Sequence, residues 1–176
     1  MRASPLLSRV VRFVLAATFF VWTAAPGASQ ADPRFGVGFD VVTALYGQDV
    51  IPNGPSVGFR GRIALPINAD LSLSASLGAG SHVFEGGENT IVLNPQAELV
   101  VMLPQRRRSE NLRYLLGGFG GYIPVRNGDG GLSIHAGAGL AIPLRETSLF
   151  LELNPALALG DDATVPVVSA RAGVIF

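Results

Sequence analysis

The chain predicts an all-β fold, an eight-stranded antiparallel up-and-down transmembrane β-barrel over residues 32–176. Three observations lead there. Apolar side chains recur at every second position in eight successive segments, the period of a strand and not of a helix. Clusters of Gly, Asn, Asp and Pro separate those segments, as turns do. The second face of most segments is built from Gly, Ser and Ala with few charges, which makes a poor surface for water.

The segments run as follows. In 35–46, Phe35, Val37, Phe39, Val41 and Leu45 share a face against Gly36, Gly38 and Asp40. In 56–67, Val57, Phe59, Ile63, Leu65 and Ile67 oppose Ser56, Gly58, Arg60 and Arg62. In 70–80, Leu71, Leu73, Ala75 and Leu77 oppose Ser72, Ser74 and Ser76. In 90–103, Ile91, Leu93, Ala97, Leu99 and Val101 oppose Asn94, Gln96 and Glu98. Segment 111–123 is rich in Gly and reads either way; the parity chosen sets Leu112, Tyr114, Leu116 and Tyr122 against Arg113. In 131–144, Leu132, Ile134, Leu140 and Ile142 oppose Ser133, His135, Gly137 and Gly139. In 148–159, Leu149, Leu151, Leu153 and Leu157 oppose Glu152 and Asn154. The closing stretch, 167–176, sets Val168, Ala170, Ala172, Val174 and Phe176 against Ser169, Arg171 and Gly173.

Size decides which face is inside. The bore of an eight-stranded barrel is just wide enough to be filled by side chains. Eight rows of Leu, Ile and Phe would overfill it, whereas Gly, Ser and Ala fit. The apolar face therefore points out, towards lipid. Closure follows, because hydrocarbon cannot satisfy an open strand edge.

The remaining sequence agrees with export. Arg2, Arg9 and Arg12 precede the uncharged run Phe13–Ala25 and a small-residue stretch ending at Ala31. This is the plan of a secretory signal peptide, 1–31, removed on export. Residues 32–176 then carry ten Arg, no Lys and 13 acidic groups. That balance excludes the concentrated basic surface of a nucleic-acid binder. Without cysteine there is neither a disulfide nor a thiol metal site. His82 and His135 lack neighbours for a metal centre, and no cofactor motif is present.

The end of the chain, V-S-A-R-A-G-V-I-F from Val168 to Phe176, resembles the C-terminal signature of bacterial outer-membrane β-barrels. The whole of 32–176 is similar in plan to the small OmpA- and OmpX-type barrels of Gram-negative bacteria. The resemblance implies an outer-membrane location with both termini periplasmic. It also implies that the barrel-assembly machinery reads Ala172, Val174 and Phe176. An aromatic often stands where this chain has Val174. The connections fit this orientation. The first, third, fifth and seventh hold Asp49, Glu85, Glu88, Asp129, Asp161 and Asp162 against Arg126, and the opposite turns hold Arg106, Arg107, Arg108 and Arg145 against Asp70, Glu110 and Glu146. Outer-membrane lipids and lipopolysaccharide are the expected surroundings, with the outer loops available to a surface ligand. Phe35, Tyr114 and Phe176 would mark the inner interface, and Tyr46, Phe59, Phe84 and Tyr122 the outer one.

The inward face is then expected to carry a network of Asp40, Arg60, Arg62, Glu98, Arg113, Glu152 and Arg171, since unpaired charge is costly to bury. Hairpin arithmetic places Asp40 near Arg62, and Asn154 opposite Arg171 with Glu152 diagonal to it. The expected role is structural or surface-interacting, with the lumen plugged. Two other roles have distinct signatures: a narrow channel, and a lipid-modifying barrel enzyme using Ser133, His135 and Glu152. His135 should face residue 156, about 13 Å from Glu152 along the strand, too far for a triad. No catalytic residue is therefore assigned.

Overall fold

The computed structural model describes residues 32–45, 55–83, 89–104, 111–125, 130–160 and 164–176. The eight strands are β1 (Arg34–Ala44), β2 (Ser56–Pro66), β3 (Leu71–Val83), β4 (Asn89–Met102), β5 (Leu112–Pro124), β6 (Gly131–Pro143), β7 (Ser148–Leu159) and β8 (Thr164–Ile175). Each pairs antiparallel with its neighbours in the sequence, and β8 returns to β1, closing the barrel. The backbone amide of Phe176 extends this seam, donating to the Phe35 carbonyl at 2.8 Å. The proposed signal peptide lies outside the described residues, as do Arg106–Arg108 and the acidic loop residues named above.

Two turns at the end that carries the termini are four residues long, 67–70 and 144–147. Their chemistry is local. The Asn68 side chain accepts from the amides of Asp70 and Leu71, both at 2.9 Å. The Leu144 amide donates to the Thr147 carbonyl at 2.8 Å.

The register sets the shape of the bore. One row of partners runs Gly36, Arg62, Ser76, Gln96, Gly120, Ser133, Ala158 and Val165. Gly36 itself pairs with Ile175, ten residues along β8 from where that row arrives. This stagger of ten over eight strands tilts them by roughly 40° at ordinary strand rise and spacing.

The outward face is apolar. Phe35, Val37, Phe39 and Val41 of β1, Phe59 of β2, Leu77 of β3 and Ile134 of β6 are all exposed. Phe39 and Phe59, directly opposite each other, stack at 4.6 Å between ring centres. The buried residues are instead Ser, Asn, Glu, Asp and Arg, with a smaller apolar set. A soluble barrel would show the reverse.

One strand departs from the sequence reading. In β5, Tyr114 and Leu116 are buried in the bore, whereas Arg113, Leu115 and Phe119 point out. The cause lies on β4. Glu98 and Gln96 stand opposite Gly118 and Gly120. A Cβ on Gly118 would come 2.9 Å from the Glu98 Cα, and one on Gly120 would come 2.7 Å from the Gln96 side chain. Those two glycines must face inward, which turns Arg113 outward. Tyr122 has the same parity as Tyr114, and its phenol crosses to the wall at Gly131. Neither tyrosine belongs to an interfacial belt. Phe35, Phe59 and Phe176 are exposed on the outside, while Tyr46 and Phe84 lie outside the described residues.

Candidate functional site: the filled lumen

Among the described residues, three aromatic side chains enter the bore, and each stands opposite a glycine: Tyr114 with Gly139, Tyr122 with Gly131, and Phe150 with Gly173. The glycine leaves the wall bare, so the ring can lie flat on it. A Cβ on Gly139 would meet the Tyr114 ring at 2.2 Å, and one on Gly173 would meet Phe150 at 2.6 Å. Around Tyr114 an apolar floor forms from Val100, Leu116 and Ala141, with Met102 and Leu112 against it. This floor occupies the half of the bore nearer the termini.

Above the floor lies a belt of charge. Arg62 donates to Glu152 Oε1 at 2.5 Å and to Glu98 Oε2 at 3.2 Å. Arg171 donates to Glu98 Oε1 at 2.7 Å and reaches Glu152 Oε2 at 3.5 Å. Two arginines and two glutamates therefore close a ring of four across the bore. Tyr114 joins floor to belt by donating to Glu152 Oε1 at 2.8 Å, and the Arg62 guanidinium lies 5.4 Å from the centre of the Phe150 ring. A second unit pairs Arg60 with Asp40 through Nη2 at 2.8 Å and Nε at 3.1 Å. Gln96 Oε1 links the two, accepting from Arg60 at 3.1 Å and from Arg171 at 2.6 Å. Ser74 accepts from Arg62, and Ser76 and Asn94 accept from Arg60. Three cations meet three anions, and all six are buried. Balanced charge is the condition under which ions can be buried at tolerable cost, and here it is met although Arg171 Nε makes no hydrogen bond.

Six of the seven residues expected in the lumen thus share this network. Arg113 does not, for the reason given above. Two pairings also differ from the hairpin arithmetic. Asp40 meets Arg60 instead of Arg62, because β1 and β2 set Gly38 against Arg60 and Gly36 against Arg62. Glu152 stands directly opposite Arg171, and Asn154 faces Ser169, because only residues 160–163 join β7 to β8.

His135 faces Ala156 across the β6–β7 pair, well along the strand from Glu152. Its Nε2 lies 3.2 Å from Glu98 Oε1, reaching over Gly118, which separates them on the intervening strand. Beyond this contact with Glu98, neither imidazole nitrogen has a hydrogen-bond partner, and neither does Ser133 Oγ. Tyr114 and Leu116, which the sequence reading set on the outward face, line the bore instead, and the sequence gives no sign of Phe150 or of the Glu98–His135 contact. A tyrosine opposite a glycine was the available signal for Tyr114, but it requires the β5–β6 register first. Among the described residues, no group of three or more His, Cys, Asp or Glu could hold a metal ion.

Ala172, Val174 and Phe176 alternate outward along the end of β8, with Ala172 opposite Phe39 and Val174 opposite Val37 on β1. They lie at the seam of the barrel.

No protein-family model and no curated protein matches this chain in sequence. Solved structures match its fold. Neisserial surface protein A aligns at a TM-score of 0.58 with 13% identity, over 81% of this chain and 94% of that one. The outer membrane protein OprG from Pseudomonas aeruginosa aligns at 0.55 with 11% identity, over 85% and 96%. Ail of Yersinia pestis aligns at 0.46 with 18% identity, over 82% and 97%. The chain has the closed eight-stranded antiparallel fold of the small bacterial outer-membrane barrels.

Proposed function

We propose that this chain is an integral outer-membrane protein whose role is carried by its outer surfaces, with a lumen that is plugged and non-catalytic. The observation that carries this reading is the ring Arg62–Glu98–Arg171–Glu152 seated on an apolar floor. Together they leave the bore occupied by side chains over both its polar and its apolar levels.

The proposed topology has residues 1–31 removed as a signal peptide and both ends of the barrel domain in the periplasm. The assembly machinery would read the seam residues Ala172, Val174 and Phe176. Phospholipid and lipopolysaccharide would surround the wall, and the acidic loops would face outside, where a surface ligand can meet them. Catalysis finds little support. Ser133 and His135 point into the bore and are buried, away from the lipid an acyl hydrolase must reach.

Conductance in planar bilayers tests the plug. The expected result is no steady open level for the intact chain, and discrete openings once the ring is broken by Glu98→Leu. A steady conductance in the intact chain would replace this reading by that of a narrow channel.

A further inference from the structure

Arg113 is the single charged side chain on the outward face of the eight strands, among the described residues. Its neighbours explain why that is unusual. It stands opposite Leu140 on β6, and its carbonyl accepts from the Leu103 amide at 2.9 Å on the β4 side. It is the second residue of β5, at the end of the barrel that carries the termini. A guanidinium there can reach headgroup level while its stem lies on apolar wall. Beside it runs a surface groove of about 450 Å³. Leu103, Ala138, Leu140, Leu151 and Leu153 line it with Arg113, and Tyr114, Gly139 and Glu152, whose side-chain parity is inward, complete the lining. Ala138 is the smallest of the outward side chains there, between the larger Leu140, Leu151 and Leu153.

We infer that this groove and Arg113 form a binding site for one phospholipid of the leaflet at the terminus-bearing end. The guanidinium donates to the phosphate, and one acyl chain lies over Ala138 between the leucines. A lone cation on an apolar wall matches a lone anion carried on an apolar chain, and Arg suits phosphate through its forked donors. The inference rests on the outward face meeting lipid; under the proposed orientation that leaflet is the periplasmic one.

The test is native mass spectrometry of the folded full chain in detergent. Dioleoylphosphatidylglycerol is compared with dioleoylglycerol, which has the same chains and no phosphate. The intact protein should retain the phospholipid about tenfold better, the size of one charge-assisted hydrogen bond. Arg113→Gln should level the two lipids. Ala138→Leu, which puts a larger side chain in the groove, should lower retention of both. Heat-modifiable migration on a gel confirms that each variant is folded. Equal retention by the intact protein, a preference that survives Arg113→Gln, or retention untouched by Ala138→Leu would each overturn the site. Micelles have no leaflets, so an error in orientation leaves this result unchanged and is exposed separately by labelling the termini on whole cells.

Discussion

The two levels of the lumen are filled by opposite means. The floor of Val100, Tyr114, Leu116 and Ala141 is held by shape: rings lie on glycine and aliphatic chains fill the gaps. Dispersion and burial are non-directional, so such a region tolerates a change that conserves volume. The belt of Asp40, Arg60, Arg62, Glu98, Glu152 and Arg171 is held by count. Every cation has an anion, and removing one member strands another in a site from which water is largely excluded. The floor can be repacked; the belt can only be kept whole or replaced together.

The largest effect should come from the hub of the belt. Glu98 takes Arg62 and Arg171 and contacts His135. Glu98→Leu leaves two arginines to share Glu152, and should cost about 3–5 kcal/mol in urea unfolding from lipid vesicles. Next comes the wall beneath the ring. Gly139→Val drives a side chain into Tyr114, and about 1–3 kcal/mol is expected in the same titration. Tyr114→Phe keeps the ring and deletes the donor to Glu152, which retains Arg62; the loss should be about 1–2 kcal/mol. Leu116→Met, inside the floor, should stay below about 1 kcal/mol. The comparison breaks if Glu98→Leu costs no more than Leu116→Met. It sharpens if Tyr114→Phe combined with Glu98→Leu is non-additive, since the phenol is the bond between the two levels.

Much of this was legible before any coordinates. The strand count, seven of the eight parities and the outward placement of Phe39, Phe59, Leu77 and Leu151 follow from period-two alternation, which each segment carries in itself. The inward placement of Asp40, Arg60, Arg62, Glu98, Glu152 and Arg171 follows from the same parity. The exception is β5, where glycine stands at 117, 118, 120 and 121, two on each face, and the alternation loses its contrast. There the neighbouring strand chose, through the close approach of the β4 backbone at Ala97 to Gly118 and of Pro95 and the Gln96 side chain to Gly120.

By itself, then, the sequence determined an alternating strand repeat with a lipid-facing side, because that pattern depends only on residues two apart. Asp40 with Arg60 and Glu152 with Arg171 meet between paired strands, but how the ring closes was decided by the barrel. Arg62 on β2 reaches Glu98 on β4 and Glu152 on β7, contacts that exist only across the bore. They depend on a stagger of ten residues accumulated over eight pairings, and no single hairpin contains that quantity.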